Sequence, residues 1–270
     1  MGQAATKAQE ARAAAKSRPK QTRSVLQQKL KSAAATGVLA LPDHKLKQLP
    51  RELLELANLR SLDVSSNRLA ELPRDFAAAL PQLRTLKLAG NALTALPDLS
   101  ALTALTTLVL DGNALTSLPE ALPPNLTKLS LKNNRLRELP LSVTRLAQLQ
   151  ELDVSGNELA ALPEHVGALA SLVDLTLDQN AVRELPAALA RCARLKVLSA
   201  RGNRLGPHGI AREVLTDSGV HIMNLEGNPM SKFDLEAMDG FERFLERRTQ
   251  AKNKEIHGGL SADVSLCGLD

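Results

Sequence analysis

The sequence has no tryptophan and no tyrosine, and its aromatic content is four phenylalanines. A core built around aromatic rings is therefore not expected for these 270 residues, and Leu and Ala carry the apolar content instead. Two cysteines, Cys192 and Cys267, are too few for a disulfide framework or a thiolate metal cluster, and they fit a reducing compartment. No apolar run approaches the ~18 residues of a membrane-spanning helix. The first thirty residues are too charged for the apolar stretch of a secretory signal. Five histidines (His44, His165, His208, His221, His257) are scattered without metal-ligand spacing. No P-loop, dinucleotide fingerprint or G-x-S-x-G is found, and no nucleophile has a base beside it. Together these absences speak against an enzyme, a metal, a cofactor and a small-molecule substrate.

What is present is leucine on a fixed spacing. NLRSLDVSSNRLAELP (58–73) is followed by QLRTLKLAGNALTALP (82–97), ALTTLVLDGNALTSLP (104–119), NLTKLSLKNNRLRELP (125–140), QLQELDVSGNELAALP (148–163) and SLVDLTLDQNAVRELP (171–186). Two weaker copies cover 194–205 and 220–230. The aligned asparagines are Asn67, Asn91, Asn113, Asn134, Asn157, Asn180, Asn203 and Asn228, at intervals of 24, 22, 21, 23, 23, 23 and 25 residues. That period and the pattern L-x-x-L-x-L-x-x-N define a solenoid of coils, each too small to fold alone.

Each copy opens as a short strand. In Leu62-Asp63-Val64 the two apolar side chains turn inward and Asp63 turns outward. Stacked in parallel, the strands pair their backbones between neighbouring coils. The chain then turns sharply, stranding peptide groups that an asparagine amide, donor and acceptor at once, can satisfy. The eight asparagines are accordingly read as a structural ladder. The Leu-Pro pairs that end each inner half direct the return path into extended or short helical turns. The Asn113–Asn134 interval, with Pro119, Pro123 and Pro124, reads as extended, and 209–217 is long enough for one helix. GVLALPDHKLKQLP (37–50) is a degenerate first copy with His44 in the asparagine place.

A stack of this kind exposes an apolar face at both ends. The expectation is an α/β solenoid over 22–247, a horseshoe with a parallel concave sheet and a helical cap at each end. The first cap helix covers about 22–36, with Thr22 at its start and Val25, Leu26 and Leu30 on one side. The second covers about 234–247, capped by Asp234, with Met238, Phe241, Phe244 and Leu245 on one face. A disordered basic leader over 1–21 and a disordered tail over 248–270 complete the reading.

Charge is uneven. Residues 1–36 hold eight Lys/Arg against Glu10, a net of +7, leaving 26 basic and 28 acidic residues for the rest. Met1-Gly2-Gln3-Ala4-Ala5-Thr6 fits M-G-x-x-x-[ST], which makes Gly2 a candidate for N-myristoylation. One acyl chain binds a bilayer only marginally, at ~10⁴ M⁻¹. The basic leader supplies a second signal, worth about 1 kcal/mol per cation held at an anionic leaflet. An unmodified basic arm is the alternative. Without interleaved aromatics the leader does not read as a nucleic-acid site. Cys267-Gly268-Leu269-Asp270 resembles a prenylation box only superficially, because Gly268 is not aliphatic and Asp270 is not a usual last residue.

The concave face is where a repeat array binds its partner. Outward strand positions there bring Glu151, Asp153, Asp174 and Asp178 together, flanked by Asp111, Lys128, Lys132 and Arg201. Either these charges pair across strands, as Asp111–Lys132 or Asp178–Arg201 would, or they form a docking site for a basic segment of another protein.

The copies resemble the 23-residue class of leucine-rich repeats found in intracellular scaffold proteins. A narrower likeness within that class covers Met1-Gly2, ATGVLAL (35–41), VLTDSGVHIMNLEGNPM (214–230) and MDGFERFLERRTQAKNK (238–254). This chain departs from it in a longer basic leader and a longer tail. The resemblance implies a lipid-anchored protein with Gly2 as acceptor, on the cytoplasmic side of a membrane. A membrane-tethered adaptor is thus the expectation. A soluble subunit of a larger assembly and a regulatory subunit of a phosphatase or small GTPase pathway are the alternatives.

Overall fold

The structure is a computed structural model that describes residues 24–257 and 267–269. Gly2, the basic leader and Thr22 lie outside the described residues, as does 258–266. Nine strands of three residues each recur along the chain: β1 Val38–Ala40, β2 Ser61–Asp63, β3 Thr85–Lys87, β4 Thr107–Val109, β5 Lys128–Ser130, β6 Glu151–Asp153, β7 Asp174–Thr176, β8 Val197–Ser199 and β9 Ile222–Asn224. They form one parallel sheet in sequence order. The degenerate copy around His44 contributes β1 and is paired like the others.

The register explains the core. Leu39, Leu62, Leu86, Leu108, Leu129, Leu152, Leu175, Leu198 and Met223 stand opposite one another from β1 to β9. All nine are buried, while the residues on either side of each, apart from buried Ser130, face outward. Strand alternation thus sends one residue in three to the interior and leaves two for the sheet's open face. Removing one leucine side chain from water stabilises by roughly 1.5–3 kcal/mol before chain ordering is counted.

The return paths are short, as the Leu-Pro pairs require. They hold 3-10 turns at Arg51–Leu53, Glu164–Ala168 and Ala187–Arg191, and the helices α2 (Phe76–Ala79), α3 (Leu141–Thr144) and α4 (Arg212–Thr216). Residues 114–127 carry no helix, only bends and a turn at Pro124-Asn125. Before the sheet, a helix α1 over 24–36 buries Leu30 and Ala33, whereas Val25 stays 47% exposed.

Past the sheet the structure departs from the sequence reading. Two helices stand where one was expected: α5 (Lys232–Glu236) and α6 (Phe241–His257), separated by Gly240 at φ +93°. Ser231, not Asp234, is the cap of α5. Its hydroxyl accepts the Asp234 N–H at 3.2 Å, and Asp234 Oδ2 accepts the Ser231 N–H at 2.9 Å, a reciprocal capping box. Phe244 is fully buried, Met238 and Phe241 half-buried, and Leu245 is 40% exposed. The helix also runs ten residues past the expected end at 247, because two arginines anchor it. Arg248 is buried, and Arg247 donates to the carbonyls of Leu215 (2.6 Å) and Thr216 (3.3 Å) at the end of α4 and of Val220 (3.2 Å) ahead of β9.

Candidate protein-binding face

The open face of the sheet is set by the turns that follow each strand. In every coil from β2 to β9 the residue before the aligned asparagine has positive φ: Ser66, Gly90, Gly112, Asn133, Gly156, Gln179, Gly202 and Gly227. That left-handed residue swings the asparagine side chain under the turn. Asn67, Asn134, Asn157 and Asn203 are buried there, and Asn91, Asn113, Asn180 and Asn228 are half-buried. In each, Nδ2 donates to a carbonyl of the preceding coil, and Oδ1 accepts an N–H from that same coil. The ladder uses both halves of the amide, which neither Asp nor Ala could do.

With the turns fixed, the outward strand residues line up in rows. One row runs Lys128, Glu151, Asp174, Val197 across β5 to β8, and the next runs Ser130, Asp153, Thr176, Ser199. Lys128, Lys132, Glu151, Asp153, Asp174 and Thr176 rim a pocket of about 120 Å³ floored by Leu129 and Leu152.

The charges on this face divide into two groups. Asp111 and Asp178 are engaged in cross-strand bonds. Asp111 Oδ1 accepts from Ser130 Oγ at 2.6 Å and from the Lys132 N–H at 3.0 Å. Asp178 Oδ1 accepts from Ser199 Oγ at 2.6 Å and the Arg201 N–H at 2.9 Å, and its Oδ2 lies 3.5 Å from Arg201 Nε. Arg201 also reaches Glu226 at 3.6 Å, a partner the strand pattern did not single out. The Asp111–Lys132 side-chain pair is not formed. Lys132 Nζ instead lies 2.8 Å from Asp153 Oδ2, and that hydrogen bond, with the attraction of Asp153, holds the lysine pKa above its ordinary value. Lys128 pairs with Glu151.

Asp174 is different. Among the described residues it forms no ion pair, and its one side-chain bond is from Thr176 Oγ1 at 3.4 Å. Burial pushes its carboxyl pKa up, opposed by the Thr176 hydroxyl; the neighbouring carboxylates of Glu151 and Asp153 push it further, and the Lys128 ammonium offsets part of that. Across β4 to β9, six carboxylates (Asp111, Glu151, Asp153, Asp174, Asp178, Glu226) face three cations (Lys128, Lys132, Arg201). The surplus is negative and centres on Asp174. Among the described residues no three His, Cys, Asp or Glu side chains are placed to hold a metal ion.

Sequence comparison agrees with this geometry. The family description "Leucine rich repeat" matches residues 57–115 and 124–182, the coils that build β2 to β7. The fold is a leucine-rich-repeat solenoid. A solved leucine-rich-repeat protein of Leptospira interrogans superposes with a TM-score of 0.62 at 28% identity, covering 77% of this chain and 58% of that one. YopM, a leucine-rich effector of Yersinia pestis, gives 0.58 at 26% identity over 78% of this chain and 60% of its own. Among curated proteins, a leucine-rich repeat and calponin homology domain-containing protein of Drosophila melanogaster is 44% identical over 154 residues. The match takes in 54% of this chain and 19% of the fly protein, so the chain spans only a fraction of that relative's length. Among the described residues no helix is long and apolar enough to cross a membrane.

Proposed function

We propose that this solenoid is a protein-binding scaffold that receives a basic segment of its partner on the open face of the sheet, over β5 to β7. The reading rests on Asp174. The ionised form of this half-buried carboxylate is disfavoured first by burial and then by Glu151 and Asp153, with Lys128 near but not paired to it, and a guanidinium or ammonium in the adjoining pocket would relieve it. The paired charges around it contribute little binding energy and serve to orient the incoming chain.

The test is reversal of Glu151 and Asp174 to Lys, with capture of bound protein measured against wild type. Asp178 is left alone because it holds Ser199 and Arg201 in place. Glu120→Lys with Glu138→Lys, two exposed positions on the return paths, makes the same change in net charge elsewhere. Loss of the partner with the first pair and retention with the second is expected; an unchanged partner set with the first pair refutes the reading.

The scaffold is further proposed to be tethered at a cytoplasmic membrane face by myristoyl-Gly2 and the basic leader. What supports this is the M-G-x-x-x-T start, the net charge of +7 over residues 1–36, and the likeness of 214–230 and 238–254 to leucine-rich repeat-containing protein 57. Membrane partitioning of Gly2→Ala in a eukaryotic cell, if equal to wild type, removes the lipid claim.

A further inference from the structure

The last strand of an open sheet leaves its outer edge unpaired, and such an edge accepts any extended chain that reaches it. In this solenoid the pairing between coils extends one residue past each strand. Leu41 N–H donates to Asp63 O, Val64 to Lys87 O, and so on to Ala200 and Asn224 O, eight bonds of 2.7–3.0 Å that each run to the last strand residue of the following coil. Among the described residues no coil follows β9. Yet the Leu225 N–H, next in this series, donates to Cys267 O at 2.8 Å.

We infer that residues 267–269 are a releasable plug, seated in the place of a tenth coil and closing the strand-accepting edge of β9. Three further observations support a seated segment. Cys267 is 2% exposed and joins the aliphatic core, and Leu269 packs against that core. Gly268 approaches β9 closely: a Cβ there would lie 3.0 Å from the Glu226 Cβ and 3.1 Å from Asn224 Oδ1. Cys267 is held at φ +60°, a conformation an L-residue adopts only where its surroundings impose it. The plug is not a strand. Cys267 and Gly268 (φ +71°) both turn, so it mimics one rung of the next coil and then leaves the sheet. A contact of one rung and two apolar side chains is small compared with the coils beneath it, so the plug should open without unfolding them.

The test uses the full chain and its two thiols. Cys192 lies at 0% exposure inside the stack, its thiol pushed up to about 11 by burial, and reports opening of the whole fold. Cys267 reports the plug. Native-state alkylation mapped by mass spectrometry and exchange of the Leu225 amide are compared between wild type and Gly268→Val. The β-branched residue cannot hold φ +71° cheaply, so both the Cys267 and Leu225 rates are expected to rise by about tenfold or more, with Cys192 unchanged. Cys267→Asp, which sets a charge in the same apolar seat, should accelerate Leu225 exchange likewise. With the edge bare, Gly268→Val should also self-associate more strongly than wild type in sedimentation velocity. The proposal is overturned if wild-type Cys267 reacts as fast as an unfolded thiol, or if Gly268→Val leaves both rates unchanged. It is equally overturned if Cys192 and Cys267 accelerate together, or if the variant sediments as wild type does.

Discussion

Asn157 is bonded to two coils at once: its Oδ1 accepts the Leu136 N–H at 3.0 Å, and its Nδ2 donates to Leu131 O and Val154 O, each at 2.9 Å. Leu131 and Leu136 belong to the preceding coil and Val154 to its own, so one amide fastens the turn and the stack together. Asn157→Ala leaves buried backbone groups without partners. It should lower stability by roughly 1–3 kcal/mol, read from urea unfolding. Asn157→Asp keeps the acceptor, loses both donors and adds a buried charge, and should be at least as damaging. Asn91→Ala, at a half-buried rung, should cost less.

Gly156 offers a second test of the turn. Its φ is +66°, and a Cβ there would fall 2.2 Å from Asn133 Oδ1 in the turn beneath. Gly90 shares the conformation, but a Cβ would meet Ser66 no closer than 3.5 Å. Gly90→Ala should therefore show only the cost of a left-handed L-residue, about 1–2 kcal/mol. Gly156→Ala should cost more, and a double-mutant cycle with Asn133→Ala should recover the excess. Equal costs without coupling would mean the Asn133 side chain simply swings aside.

Two carboxylates should respond to acid in opposite directions. The Asp234 pKa is lowered by the Ser231 side chain and then by its backbone N–H, so its stabilisation is present above the ordinary carboxylate range and is lost as pH falls through its folded pKa. The Asp174 pKa is raised, so its ionised form weakens the folded state, and protonation on lowering the pH relieves that. Asp174→Asn should thus raise the melting temperature at neutral pH and remove the relief on acidification. Ser231→Ala should lower it and flatten the acid-induced loss. Melting curves from neutral to acidic pH distinguish the two.

The strands were legible because burial in them is periodic: a leucine opposite a leucine in every coil needs only the spacing to be seen. The final helix was not, since what extends it past 247 is Arg247 bonding the end of α4 and Arg248 buried beside it, and a count of apolar residues passes over both. The seat of Cys267 was equally hidden. It depends on a carbonyl reaching Leu225 and on no repeat at all. On the binding face, the charges could be placed on one surface from the strand alternation, but their division could not. Asp111 and Asp178 are occupied because the hydroxyls of Ser130 and Ser199, on the strand that follows each, reach them, whereas Asp174 stands opposite Val197 on β8.

The most direct measurement is photo-crosslinking from the face itself. A photoreactive residue at Thr176, on the rim of the pocket beside Asp174, is compared with one at Glu164 on the return path. Crosslinks from Thr176 to Lys- or Arg-rich peptides of a partner, weakening as salt is raised, are predicted, with none from Glu164. Crosslinks from Glu164 alone, or from Thr176 to peptides without basic residues, would contradict the account.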